Sequence, residues 1–131
     1  MTYALDSNTL IYLFKNLGGV ARQLLSIAPS DVAIPSVVLY ELEMGIALSN
    51  SPDRRRRQLD TLLEQIRVLP FDRNAAASAA LIGAELKKSG KMFGPMDTLI
   101  AGTVVASGAT LVTRNRREFQ RVSGLKTVDC F

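Results

Sequence analysis

Short apolar runs that stop at polar residues alternate along this chain with stretches of helical periodicity. Tyr3-Ala4-Leu5 is the first such run, and it ends at Asp6-Ser7-Asn8, where a helical pattern begins. It reads as a buried central strand that delivers Asp6 to the edge of a sheet. Leu10, Ile11, Leu13, Phe14 and Leu17 then follow helical spacing as far as Gly18-Gly19, and Val20, Leu24, Leu25 and Ile27 predict a second short helix closed by Pro29. Val32-Ala33-Ile34 fits a second parallel strand. The segment from Val37 to Leu48 is apolar almost all round, which predicts a buried helix. A further helix runs from the arginines at 54–57 through Leu59, Leu62, Leu63 and Ile66, and Val68-Leu69 before Pro70 predicts a short strand at a sheet edge. Asp72 caps a long alanine-rich helix ending at Lys87-Lys88-Ser89-Gly90, its alanines suited to close helix packing. Gly94 and Pro95 open another helix, Thr110 to Thr113 a fourth strand, and Val128 marks a last edge strand after a helical piece anchored by Phe119 and Val122. Strands alternating with helices predict an α/β fold with a parallel sheet covered on both faces.

Composition narrows the chemistry. The 131 residues fit one domain spanning 1–131, and no apolar run approaches the length of a membrane span. The N-terminus lacks the layout of a signal peptide, since Asp6 and Asn8 interrupt it, so a cytosolic protein is expected. There is one cysteine, Cys130, and no histidine. That excludes Ser-His-Asp and Cys-His nucleophile systems, imidazole metal sites and histidine acid/base catalysis. An enzyme with this composition works with carboxylates, and acid clusters without histidine or cysteine favour hard ions such as Mg²⁺ or Mn²⁺.

The net charge is +4, and half of the 16 lysines and arginines fall in two blocks, Arg54 to Arg57 and Arg114, Arg116, Arg117 and Arg121. Arginine clusters suit bidentate phosphate contacts, and a basic patch is the usual footprint of nucleic-acid binding. Either block alone reads as a solvated helix face; two of them beside an acidic site favour a nucleic-acid partner instead. Arg114, Arg116 and Arg117 are the candidates for nucleic-acid contact, while the block at 54–57 can instead face a partner or a second copy of the chain.

Several acids lie at the ends of strands or on the buried sides of helices. Asp6 is a helix cap or a site residue, in a row of three cap-competent side chains. Glu41 and Glu43 lie inside the apolar helix, where at least one must meet a cation, a metal or a polar site. Periodicity does not choose between them, although Gly45 leaves backbone room near Glu41. Asp97, in the first turn of its helix, suits the helix dipole, yet Ile100 and Ala101 put it on the side of the buried stripe, which favours a site. Glu118 follows the fourth strand. If the strands bring these acids together, they can hold a divalent ion against a phosphate.

The chain resembles the PIN-domain ribonucleases, and specifically the VapC toxins of bacterial type II toxin-antitoxin pairs. The resemblance covers essentially the whole chain. It is carried by Leu5-Asp6-Ser7-Asn8, by Tyr40-Glu41-Leu42 with Gly45, by Gly94-Pro95-Met96-Asp97 with Ile100-Ala101, and by Leu111-Val112-Thr113-Arg114-Asn115 with Glu118-Phe119. It implies a three-layer α/β/α sandwich with a short parallel sheet of four or five strands. It implies that Asp6, Glu41, Asp97 and Glu118 form the catalytic quartet, the first three as ligands of Mg²⁺ or Mn²⁺, with Asn8, Thr113 and Asn115 as polar supports. The fourth acid is an aspartate in many PIN domains; here it is Glu118, on a turn. The resemblance further implies cleavage of structured RNA, tRNA and the initiator tRNA anticodon stem-loop included, a homodimer, and a VapB-type antitoxin whose C-terminal segment occludes the site. A housekeeping PIN nuclease and a catalytically silent PIN-like RNA-binding module are the alternatives. A receiver domain is excluded by the missing acid pair and lysine, and a haloacid-dehalogenase-type phosphatase by Asn8, where its second aspartate belongs.

Overall fold

A computed structural model describes residues 1–131. Its centre is the strand β1 (Tyr3–Leu5), whose Ala4 and Leu5 are fully buried. Strand β2 (Val32–Pro35) pairs parallel with it on one side and β3 (Arg67–Leu69) pairs parallel with β2 beyond. On the other side β4 (Thr110–Val112) pairs with β1, and β5 (Lys126–Val128) closes that edge. The sheet order is β3-β2-β1-β4-β5, all parallel, so five strands form where four or five were expected. The chain builds outward from β1 to β3 and then returns to start again at β4. The order therefore reverses between β1 and β4, and in open α/β sheets ligands bind in the crevice beyond the strand ends at such a reversal.

Helices α1 (Ser7–Phe14), α2 (Val20–Leu25), α3 (Ser36–Leu48), α4 (Pro52–Leu63), α5 (Arg73–Lys88), α6 (Pro95–Ser107) and the short α7 (Arg116–Phe119) connect the strands. None is long and apolar enough to cross a membrane. Asp72 caps α5, its Oδ1 accepting the Ala75 N–H at 3.0 Å. The alanines of α5 allow α6 to approach so closely that a Cβ added at Gly102 would lie 2.6 Å from the Ala79 backbone. This contact brings the N-terminal half of α6 down onto the sheet, where Ile100 and Ala101 are buried.

The expectation that α3 is buried on all sides does not hold. Val37, Val38 and Ile46 are buried, whereas Tyr40, Met44 and Leu48 are 49%, 45% and 80% exposed. One face of α3 lies on the core and the opposite face stays apolar without a cover from this chain. The helix at the arginines also ends earlier than its pattern suggests, at Leu63, with Ile66 packing on the core from the following turn.

Candidate active site

Asp6 follows β1 and is the N-cap of α1, its Oδ1 accepting the Thr9 N–H at 2.8 Å. The residue is 6% exposed. Its own N–H donates to the Val112 carbonyl at 3.3 Å, and the Thr9 hydroxyl donates to that same oxygen at 3.1 Å. The seam between β1 and β4 is thus stitched directly beneath the acid. Oδ2 takes no bond from the chain and remains accessible to solvent. Asp6 is a cap through one oxygen and open to the crevice through the other.

The two glutamates of α3 part company in space. Glu43 forms a two-pronged ion pair with Arg56 of α4, at 2.5 and 2.9 Å, and the hydrogen bonds from Arg56 hold its carboxyl below the usual carboxylate range. Arg56 also lies 3.7 Å from Asp60, one turn along α4, so one arginine of that block is consumed by structure. Glu41 lies on the other side and accepts a hydrogen bond from the Ser7 hydroxyl at 2.5 Å. The two glutamates that periodicity could not tell apart thus differ in their partners, an arginine for Glu43 and a serine hydroxyl for Glu41.

Asp97 sits in the first turn of α6, half-buried, on a helix whose N-cap, Gly94, offers no side chain. Its carboxyl accepts no hydrogen bond from the chain. Burial raises its proton affinity above the ordinary aspartate value, and the charges of Glu41, Glu118 and Asp6 raise it further. These are the acids of α3, α7 and the end of β1: four segments distant in sequence set their negative charge around one crevice. A first-turn acid serving only the helix dipole has no reason to be crowded by three others.

Glu118 is anchored on α7. Thr113 is fully buried at the end of β4, its Oγ1 accepts the Asn115 N–H at 3.0 Å, and the Asn115 side-chain amide donates to Glu118 Oε2 at 3.0 Å. Phe119, 2% exposed, meets Phe93 edge-on at 5.5 Å between ring centres, which ties the loop before Asp97 to the helix of Glu118. The turn expected for Glu118 is in fact a pinned helical turn.

Asn8, expected as a polar support, is exposed and makes no side-chain hydrogen bond, while its neighbour Ser7 donates to Glu41. Ser7 and Thr9 went unassigned in the sequence. The signal for Ser7 was the redundancy of three cap-competent residues, since Asp6 alone caps and leaves the next hydroxyl free. Of the arginines assigned to RNA, Arg117 is exposed and unpaired, Arg116 Nε donates to Thr127 at 3.2 Å, and Arg114 lies over the Phe131 ring, 3.6 Å from its centre. No three carboxylates stand close enough to form a ready-made ion cage. The donor set is all carboxylate oxygen, which suits a hard divalent ion that keeps several waters and takes only part of its shell from the protein.

The chain matches the PIN domain family over residues 3–125. It is 36% identical to the tRNA(fMet)-specific endonuclease VapC of Shigella flexneri over 98% of both chains. It is 32% identical to ribonuclease VapC2 of Rickettsia felis over 95% of both. Among solved structures it resembles the DNA-bound VapBC of Salmonella typhimurium with a TM-score of 0.93 and 34% identity, covering 100% of this chain and 99% of that one. It also resembles VapBC2 of Rickettsia felis bound to a promoter DNA fragment, with a TM-score of 0.92 and 30% identity over 98% of both chains. The chain belongs to the PIN-domain family and, within it, to the VapC endoribonucleases.

Proposed function

We propose that this protein, a single PIN domain over residues 1–131, is the toxin of a toxin-antitoxin pair that cuts tRNA, with initiator tRNA in its anticodon region as substrate. Asp6, Glu41 and Asp97 hold the divalent ion, Mg²⁺ or Mn²⁺, and Glu118 completes the acidic quartet. The observation that carries this reading is the crowding of Asp97 by Glu41, Glu118 and Asp6 in a half-buried position. Such a site repels a phosphodiester unless a cation stands between them. When bound, the ion lowers the pKa of a water and offsets charge on the leaving oxygen.

The chain's own groups do the positioning. Ser7 fixes one oxygen of Glu41, Asn115 fixes one oxygen of Glu118, and the Thr9 N–H fixes one oxygen of Asp6. Each acid so keeps a second oxygen for the ion or its waters. Arg114, Arg116 and Arg117 stand beside the acids on the segment after β4 and supply the positive charge that draws RNA phosphates in.

The partner is a VapB-type antitoxin, a reading supported by the likeness to VapBC complexes. A groove of about 410 Å³ runs from Ser7 and Glu41 between α1, α3 and α4, with Ile11, Phe14, Leu42 and Leu59 as apolar lining and Lys15 and Arg55 as cations. It suits an apolar, acidic peptide segment that blocks access to Glu41. The uncovered face of α3 at Tyr40, Met44 and Leu48 supports self-association, and sedimentation at micromolar concentration should show a homodimer.

The test is cleavage of purified initiator tRNA with Mg²⁺, Mn²⁺ or EDTA, with and without the product of the neighbouring reading frame. Cleavage that needs either metal and stops with the neighbouring protein is expected. Undiminished cutting in EDTA would overturn the mechanism, and an intact initiator tRNA beside other cut RNAs would overturn the substrate.

A further inference from the structure

Phe131 occupies a position that the catalytic reading leaves unexplained. Its ring meets Tyr12 of α1 edge-on at 5.0 Å between centres, its main-chain oxygen accepts the Gly19 N–H at 2.5 Å, and its N–H donates to Asp129 Oδ1 at 2.8 Å. Gly18 forms the floor of the seat, with φ at +61°. A Cβ there would lie 2.7 Å from the Phe131 oxygen and 3.0 Å from two ring carbons. The ring is therefore held by α1, by the loop between α1 and α2, and by the segment after β5. Upon it rests the guanidinium of Arg114, 3.6 Å from the ring centre. Arg114 directly precedes Asn115, whose amide holds Glu118.

We propose that Phe131 is a positioning residue for RNA binding, holding Arg114 at the Asn115 and Glu118 corner of the site before RNA arrives. Stacking occupies the flat face of the guanidinium and leaves its in-plane N–H donors free, and those donors are the ones that grip a phosphate. An exposed arginine on a loop otherwise samples many rotamers and must be frozen on binding, which weakens the contact. Of the three arginines Arg114 alone is stacked: Arg116 spends its Nε on Thr127, and Arg117 has no partner. The inference rests on the reading that this arginine block meets RNA.

The experiment measures binding of purified initiator tRNA to the full chain in EDTA at low salt, and steady-state cleavage with Mg²⁺. Phe131→Leu, which keeps apolar bulk and removes the π face, should weaken binding about two- to fivefold, the strength of an exposed cation–π contact. The loss should lie in KM rather than kcat, and Phe131→Tyr should restore binding. In an Arg114→Ala background Phe131→Leu should have no further effect. If Phe131→Leu binds as the parent does, or loses as much when Arg114 is already alanine, the positioning role is wrong. If Arg114→Ala itself binds RNA like the parent, the RNA reading of the block fails and takes this inference with it. Because the chain contains no tryptophan, Phe131→Trp adds a unique reporter that does not depend on the leucine variant folding. Its emission should change when tRNA is added and should not change in the Arg114→Ala background; an emission indifferent to RNA with Arg114 present overturns the proposal.

Discussion

Replacing Asp97 by asparagine separates the two roles a first-turn acid can have, because they differ in sign. If Asp97 serves only the dipole of α6, removing its charge costs about 0.3–1 kcal/mol. For a chain of 131 residues that is a fall of about 1–4 °C in melting temperature. The structure argues for the reverse. Burial, then Glu41, Glu118 and Asp6, raise the proton affinity of Asp97 in the folded protein above that of the unfolded chain. An acid raised in this way makes the folded state bind more protons than the unfolded one between the two pKa values, so stability falls as pH rises through that window. Asparagine removes this penalty, keeps the shape and breaks no hydrogen bond, since the carboxyl accepts none. Metal-free Asp97→Asn should therefore melt at or above the parent temperature at neutral pH, and the two should converge as pH falls below the ordinary aspartate range. Cleavage of RNA with Mg²⁺ should be lost. The assays are melting in EDTA across pH and cleavage with Mg²⁺ restored. A variant that melts lower than the parent yet still cuts RNA would refute the reasoning, because it would show a dipole acid outside the chemistry.

Ser7→Ala removes the hydroxyl that fixes Glu41 and should lower activity or metal affinity about 10- to 100-fold, as the loss of a group that orients a metal ligand does, with the fold retained by circular dichroism. Charge reversal at Arg114, Arg116 and Arg117 should weaken RNA binding and flatten its log–log salt dependence by about 2–3, near 0.7–0.9 per lost phosphate contact, while metal uptake by titration calorimetry is unchanged. Gly102→Ala forces a methyl against the Ala79 backbone, which cannot yield as a side-chain tip can, and should destabilise by about 1–3 kcal/mol in urea titration. Asp6→Asn should remain folded and inactive, because asparagine caps as well as aspartate, whereas Asp6→Ala should also lose about 1 kcal/mol of stability through the orphaned Thr9 N–H.

What was legible in the chain was local. Gly94-Pro95 starts a helix because of backbone chemistry at two adjacent residues, Asp72 caps because its oxygen reaches three residues on, and the short runs at Tyr3 and Thr110 become strands because they are apolar and bounded. Choices that depend on another segment were illegible. Nothing near Glu41 and Glu43 says that Arg56, 13 residues beyond Glu43, will claim one of them, or that Ser7 will turn to the other. The all-round apolar pattern of α3 misled for a similar reason. Apolar residues at Tyr40, Met44 and Leu48 look like core until the sheet is built and only one face of the helix lies on it. The resemblance implied Glu41 and, as a support, Asn8; the structure adds a bond from the Ser7 hydroxyl to Glu41 that neither the resemblance nor periodicity had named.

The opposition between cap and site at Asp6 dissolves once its two oxygens are followed separately. A strand that ends at the sheet reversal must turn into its helix there, and the free N–H groups of that helix need an acceptor. An aspartate gives them one oxygen and, because the cap holds the side chain still, presents the second at a fixed place in the crevice. The buried Thr9 hydroxyl and the Asp6 N–H both bind the Val112 carbonyl, so the same residues that start α1 lock β1 to β4. The end of β4 in turn carries Thr113, Asn115 and Glu118. The distance between the first acid and the last is thereby set by one seam of the sheet. A charge that must meet an ion at a defined position is better placed on such a cap than on a free loop, and under the proposed mechanism the structural bond at Asp6 is what aims its second oxygen.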